Sequence, residues 1–113
     1  MQTVAFPPVT DELLRNVVRS ILSISDPEKI VLFGSWARGD ARPDSDLDLL
    51  IIEQYNLPRH ERSPRYYLSL ADVFPAKDIV VYTPAEIEEW SGVPNAFVTA
   101  ALREGRVLYA RSS

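Results

Sequence analysis

With 113 residues the chain is long enough to bury one hydrophobic core and too short for two, so one domain spanning residues 1–113 is expected. Apolar residues make up 46% and charged residues 25%, a balance that disordered chains do not show. The formal net charge of −4 has the wrong sign for a protein held on a polynucleotide by phosphate neutralisation, so no direct nucleic-acid partner is expected.

Cysteine is absent, which removes disulfides and thiolate metal sites. The apolar runs, such as Leu49 to Ile52, fall far short of the roughly 20 residues that cross a bilayer. Met1 to Pro8 has no basic stretch leading into an apolar one, as a secretory signal would. A cytoplasmic location with no membrane contact is the expectation.

In chain order, Thr10 is a candidate N-cap, and Asp11 and Glu12 suit the positive end of a helix dipole. Leu13, Leu14, Val17, Val18, Ile21 and Leu22 then recur at helical spacing until Asp26-Pro27 breaks the pattern. Lys29 to Phe33 is short, apolar and β-branched, a buried strand that runs into Gly34. Ser35 to Gly39 suits one or two helical turns, with Gly39 as their stop, and Asp40 to Ser45 is a polar loop.

Asp46 to Glu53 reads as a second strand, with Asp46, Asp48, Leu50 and Ile52 on one face and Leu47, Leu49 and Ile51 on the other. After a loop over Gln54 to Arg62, Ser63-Pro64 opens a helix with Tyr66, Tyr67, Leu70, Ala71 and Phe74 as its buried stripe, ended by Pro75. Lys77 to Tyr82 is a third strand, and Thr83-Pro84-Ala85-Glu86 has capping-box spacing for a short helix. Asn95 is a candidate cap for a last helix stopped by Gly105, and Arg106 to Ala110 is a candidate last strand. The fold class is α/β (α+β), helices around a small sheet.

Chemistry concentrates in two short segments. Asp46 and Asp48, two apart on a strand, aim both carboxylates at one point, where they repel unless a cation or protons neutralise them. A hard divalent cation, magnesium first, suits such an oxygen pair beside phosphate. Asp78 could add a third carboxylate at the same sheet edge, as a metal ligand or as the base that takes a hydroxyl proton. In the other segment, Gly34 lets backbone N–H groups approach an anion, Ser35 adds a hydroxyl donor, and Arg38 lies one turn further on. Each segment alone also reads as an ordinary turn or a solvated strand end; their combination carries the chemistry.

Gly34-Ser35-Trp36-Ala37-Arg38-Gly39, the ten residues between Ser35 and Asp46, and Asp46-Leu47-Asp48 together resemble the signature of the DNA polymerase β-like nucleotidyltransferases. The chain is most similar to the minimal nucleotidyltransferase (MNT) group, with Asp78 in Lys77-Asp78-Ile79-Val80-Val81 at the place of the family's third carboxylate. The resemblance implies a polymerase β-like palm, a mixed sheet flanked by helices that binds Mg²⁺ and a nucleoside triphosphate, usually ATP. It implies catalytic and metal-holding roles for Asp46, Asp48 and Asp78, and nucleotide binding by Gly34, Ser35 and Arg38. Many MNT proteins are antitoxins that transfer AMP to a tyrosine of a HEPN-domain ribonuclease toxin, so such a toxin is the expected partner, in a homo- or hetero-oligomer.

Two other functions stay open: nucleotide transfer to a small-molecule hydroxyl such as an aminoglycoside, and neutralisation of a toxin by contact alone. Other residues carry two readings each. His60, Arg62 and Arg65 belong to a charged loop that is either solvated or, through the arginines, turned to a triphosphate or an acidic partner, and Arg42 shares the ambiguity. Trp36 is expected to pack on a neighbouring helix. Tyr55 and Tyr82 could stack on adenine or simply pack, and Trp90, Tyr66, Tyr67 and Phe74 suit the core or an interface. The first helix could serve as an interaction surface.

Overall fold

The computed structural model describes residues 9–73, 76–90, 93 and 96–112. Helix α1 (Asp11–Ile24) starts as expected: the Thr10 hydroxyl accepts the Leu13 N–H at 3.1 Å, and Leu14, Val17 and Ile21 are buried. There follow β1 (Lys29–Phe33), α2 (Ser35–Arg38), β2 (Leu47–Ile52), a 3-10 turn (Arg59–Glu61), α3 (Pro64–Ser69), β3 (Lys77–Tyr82), α4 (Pro84–Trp90), α5 (Phe97–Glu104) and β4 (Arg106–Ala110).

The strands form one mixed sheet in the order β3-β2-β1-β4. β1 runs antiparallel to both β2 and β4, whereas β2 and β3 are parallel and joined through α3. A strand in the middle of a sheet covered on both sides has to be apolar on both faces, and β2 is. Leu47, Leu49 and Ile51 sit in a cluster with Leu14, Val17 and Ile21 of α1, Tyr66 of α3 and nearby Leu70. Leu50 and Ile52 point the other way, to Val98 and Ala101 of α5. Leu47, Leu49, Leu50 and Ile51 are fully buried, each a stabilisation of about 1.5–3 kcal/mol. Among the described residues no helix is long and apolar enough to cross a membrane.

Several boundaries differ from the sequence reading. β2 begins at Leu47, so Asp46 stands just outside the ladder. Helix α3 stops at Ser69, well before Pro75; Tyr66 and Leu70 are buried, while Tyr67 and Ala71 are exposed. Ser63 sits at the N-cap in helical conformation and makes no side-chain cap, because the preceding 3-10 turn already winds the chain. Asn95, Phe74 and Pro75 lie outside the described residues, and Ala96 holds the N-cap position of α5. Gly105 ends α5 without a left-handed turn (φ −76°); a Cβ there would strike the Ala101 carbonyl and the Val31 side chain, so glycine serves close approach to β1.

Two charged networks around β2 and β3 belong to this framework. Thr83 and Glu86 form the expected capping box, at 2.8 Å from the Thr83 N–H to Glu86 and 3.2 Å from the Glu86 N–H to Thr83 Oγ1. Arg62 is buried and donates to Glu86 at 2.6 Å and to the Leu57 carbonyl at 2.7 Å. Arg65 donates to Glu53 at 2.8 Å.

Candidate active site

Register places the predicted carboxylates. Phe33 of β1 is paired with Asp48 of β2, and Asp48 with Asp78 of β3, so the three form one row across the sheet. Neighbouring strands lie about 5 Å apart, and residues directly opposite share a face. That face is the α5 side, because Leu49 and Ile79 next in sequence belong to the α1 side. Asp46 follows the same alternation from just before the strand and is exposed, as is Asp78, while Asp48 is half-buried between them.

The β1–α2 corner closes on this row. Gly34 has φ 74° and ψ −156°, a backbone conformation open to glycine and strained for other residues. A Cβ on Gly34 would run into the Asp48 carboxylate. Gly34 and Asp48 are therefore in direct contact, which brings the start of α2 onto the carboxylate row. Gly39 stops α2 in the left-handed conformation (φ 86°), its N–H bonded to the Ser35 carbonyl at 3.0 Å.

The chain must then return to the same corner. Trp36 Nε1 donates to the Ser45 carbonyl at 3.0 Å, while Arg42 and Ser45 close a turn on each other at 2.8 and 2.9 Å. Trp36 is partly buried against the core cluster and also ties down the loop that delivers Asp46.

Electrostatics single out Asp48, whose pKa is pushed up to about 6. Burial contributes most, the charges of Asp78 and Asp46 add to it, and Arg38 opposes them. The row is an anionic, oxygen-only donor set, and that chemistry fits a hard divalent cation. Among the described residues no three His, Cys, Asp or Glu side chains close on one point as a finished cage. Asp46 and Asp48 are the pair that could begin a metal site, with Asp78 across the ladder. Arg38 is exposed and pairs with Asp40 at 3.4 Å and, more loosely, with Glu104 of α5 at 3.8 Å, so it reaches a phosphate only by giving up these surface partners.

The loop arginines are not part of this edge. Arg62 and Arg65 are held by Glu86 and Glu53 at the ends of β3 and β2 away from the carboxylate row. Their partners are distant in sequence, so a local charge cluster could not reveal the pairing. Tyr82 and Tyr55 lie under the guanidinium groups of Arg59 and Arg65, at 4.4 and 4.8 Å from the ring centres. His60 is exposed. Sequence reasoning missed Phe33 as the row's third member, since only strand register reveals it. A groove of about 440 Å³, lined in part by Leu14, Val18 and Val107, runs between α1 and β4, away from the carboxylates.

Comparisons with known proteins bear on the family and the fold. Residues 12–103 match the nucleotidyltransferase domain family. The Methanocaldococcus jannaschii protein MJ0604, named as a protein adenylyltransferase, is 36% identical over 90 residues, 73% of this chain and 78% of that one. A crystal structure from Sulfolobus solfataricus, described as a nucleotidyltransferase, superposes with a TM-score of 0.53 at 20% identity, covering 89% of this chain and 77% of the other. A chain from the complex of tri-AMPylated Shewanella oneidensis HEPN toxin with an MNT antitoxin superposes with a TM-score of 0.52 at 15% identity, over 90% of this chain and 74% of its own. A toxin–antitoxin structure with AMP-PNP gives 0.55 at 18% identity, over 92% and 76%. The structural matches show a shared fold, and the sequence matches carry the family. The chain belongs to the nucleotidyltransferase domain family, whose members are enzymes that use a nucleotide and usually a divalent metal.

Proposed function

We propose that the protein is an Mg²⁺-dependent adenylyltransferase that moves AMP from ATP to a protein hydroxyl, a tyrosine of a HEPN-type toxin, and so acts in the cytoplasm as that toxin's antitoxin. The observation that carries this reading is the row Asp48–Asp78 closed from one side by Gly34. It sets an anion-tolerant glycine corner against a carboxylate pair, the two halves that phosphoryl transfer requires. The MJ0604 name supports a protein acceptor, and the toxin–antitoxin complexes among the structural neighbours support the kind of partner.

In this reading Gly34 and Ser35 receive the β- and γ-phosphates through backbone N–H groups and the Ser35 hydroxyl, and Arg38 swings from Asp40 to the same oxygens. Asp46 and Asp48 hold Mg²⁺, which when bound supplies charge neutralisation for the leaving pyrophosphate. Asp78, exposed beside Asp48, takes the proton of the acceptor hydroxyl. The hydroxyl oxygen forms the new bond to the α-phosphorus as the bond to pyrophosphate breaks. The row is an open edge, so the acceptor arrives from another molecule.

The experiment is incubation with α-labelled ATP, Mg²⁺ and the product of the neighbouring gene, with the double variant Asp46→Asn, Asp48→Asn as control. Label on the partner, lost in the control, is the expected result. Inhibition of the partner without label would establish neutralisation by contact alone, and label only on an added small-molecule alcohol would move the acceptor to that class.

A further inference from the structure

Helix α5 spends its inward residues on the core: Val98 and Ala101 are 2% and 4% exposed. Its first residue does not follow them. Phe97 is 42% exposed although two other rings hold it in place, Phe33 edge-on at 5.1 Å between centroids and Tyr82 tilted at 6.0 Å. A ring fixed on two sides and open to solvent offers a flat face with little ordering cost on binding.

Its position gives that face a direction. Phe33 is the strand partner of Asp48 and the residue before Gly34, so the aromatic cluster begins beside both halves of the candidate site. On the other flank of Asp48 the sheet ends at β3, where the Ile79 N–H is bonded to the Tyr67 hydroxyl at 2.8 Å and Asp78 is exposed. A ligand with its polyphosphate over Gly34 and Asp48 therefore meets an anionic row on one side and exposed aromatic surface on the other. A nucleotide is a molecule of that shape: charged at one end, flat and apolar at the other.

We infer that Phe97, buttressed by Phe33 and Tyr82, is the stacking platform for the base of the nucleoside triphosphate. The inference rests on the nucleotidyl-transfer reading and adds to it the residue that holds the base. Stacking recognises a face and not an edge, so purines bind better than pyrimidines with little distinction between adenine and guanine.

The test is calorimetric titration of the full chain, with Mg²⁺, by a non-hydrolysable ATP analogue and separately by inorganic tripolyphosphate. Phe97→Ala should weaken the analogue about tenfold and leave tripolyphosphate within about twofold of wild type. Phe97→Leu, which keeps apolar volume for the fold, should weaken the analogue similarly, and Phe97→Tyr should restore it. Unchanged analogue binding in Phe97→Leu, or equal loss of both ligands, overturns the platform. Equal affinity of wild type for the two ligands also overturns it, while the triphosphate site stands. Binding of neither ligand by wild type brings down the nucleotidyl-transfer reading itself, and the platform with it.

Discussion

Gly34 and Asp48 share a space that no side chain larger than hydrogen leaves intact: a Cβ on the glycine would occupy the position of the aspartate's carboxylate oxygen. The glycine is also held at φ 74°. Gly34→Ala should then cost about 1–3 kcal/mol of stability from backbone strain alone, with Asp48 pushed out of its row. Denaturant unfolding reads the first effect. Loss of transfer activity by more than about tenfold reads the second, since misplacement of about an ångström is enough.

The raised pKa of Asp48 makes the unliganded protein pH-sensitive. Its folded value, about 6, lies above the ordinary 3.8, so its contribution to stability is fully present below 3.8 and is lost as pH rises through 6. Thermal melts without divalent cation should show the melting temperature falling across that window. Mg²⁺ should raise it at pH 7.5 and do much less at pH 5. Asp48→Asn should melt higher than wild type at pH 7.5, ignore Mg²⁺ and transfer nothing.

Arg62 is a buried cation whose stability depends on Glu86. Burial opposes ionisation of Glu86, but the hydrogen bonds from Arg62 and the Thr83 N–H, with the charges of Arg62 and Arg59, outweigh it and hold the carboxyl below its ordinary range. Glu86→Ala should cost about 3 kcal/mol, because it strands the guanidinium. The sign follows from the lowered pKa: the contribution is present above 4.5 and is lost as pH falls through the folded value. The gap between wild type and variant should close as the medium is acidified past 4.5, measured by urea unfolding at several pH values.

Tyr66 offers the opposite test at high pH. Its hydroxyl donates to Glu53, which also accepts from Arg65 at 2.8 Å and from the Asp26 N–H at 3.0 Å. Burial and then that hydrogen bond raise the tyrosine pKa above 10. Its contribution is complete below pH 10 and lost above it, so wild type should lose stability steeply in alkali. Tyr66→Phe should cost about 1–3 kcal/mol near neutrality and flatten that decline.

Asp46 and Asp48 with their spacing from Gly34-Ser35, the amphipathic α1 and the three strands β1, β2 and β3, the second to within one residue of its start, were legible from the residues alone. They depend on local rules: hydrophobic period, cap chemistry and the alternation of a strand. The Gly34 and Asp48 contact was not legible, although both residues were singled out. Nothing in composition says that the glycine is required by a carboxylate fourteen positions later, because pairing of β1 with β2 creates that clash.

The same reason explains what the residues alone left open. Arg62 and Arg65 stand in a charged stretch that looked solvated or free to bind phosphate, yet they close on Glu86 and Glu53, 24 and 12 positions away. The exposure of Phe97 carried no signal in the residues themselves and emerges only once Val98 and Ala101 have filled the space over β1 and β2. The sequence by itself determined the chemistry available, a glycine corner and two or three carboxylates. Tertiary structure decided which groups share it, because register, sheet order and competition for partners are properties of the whole chain.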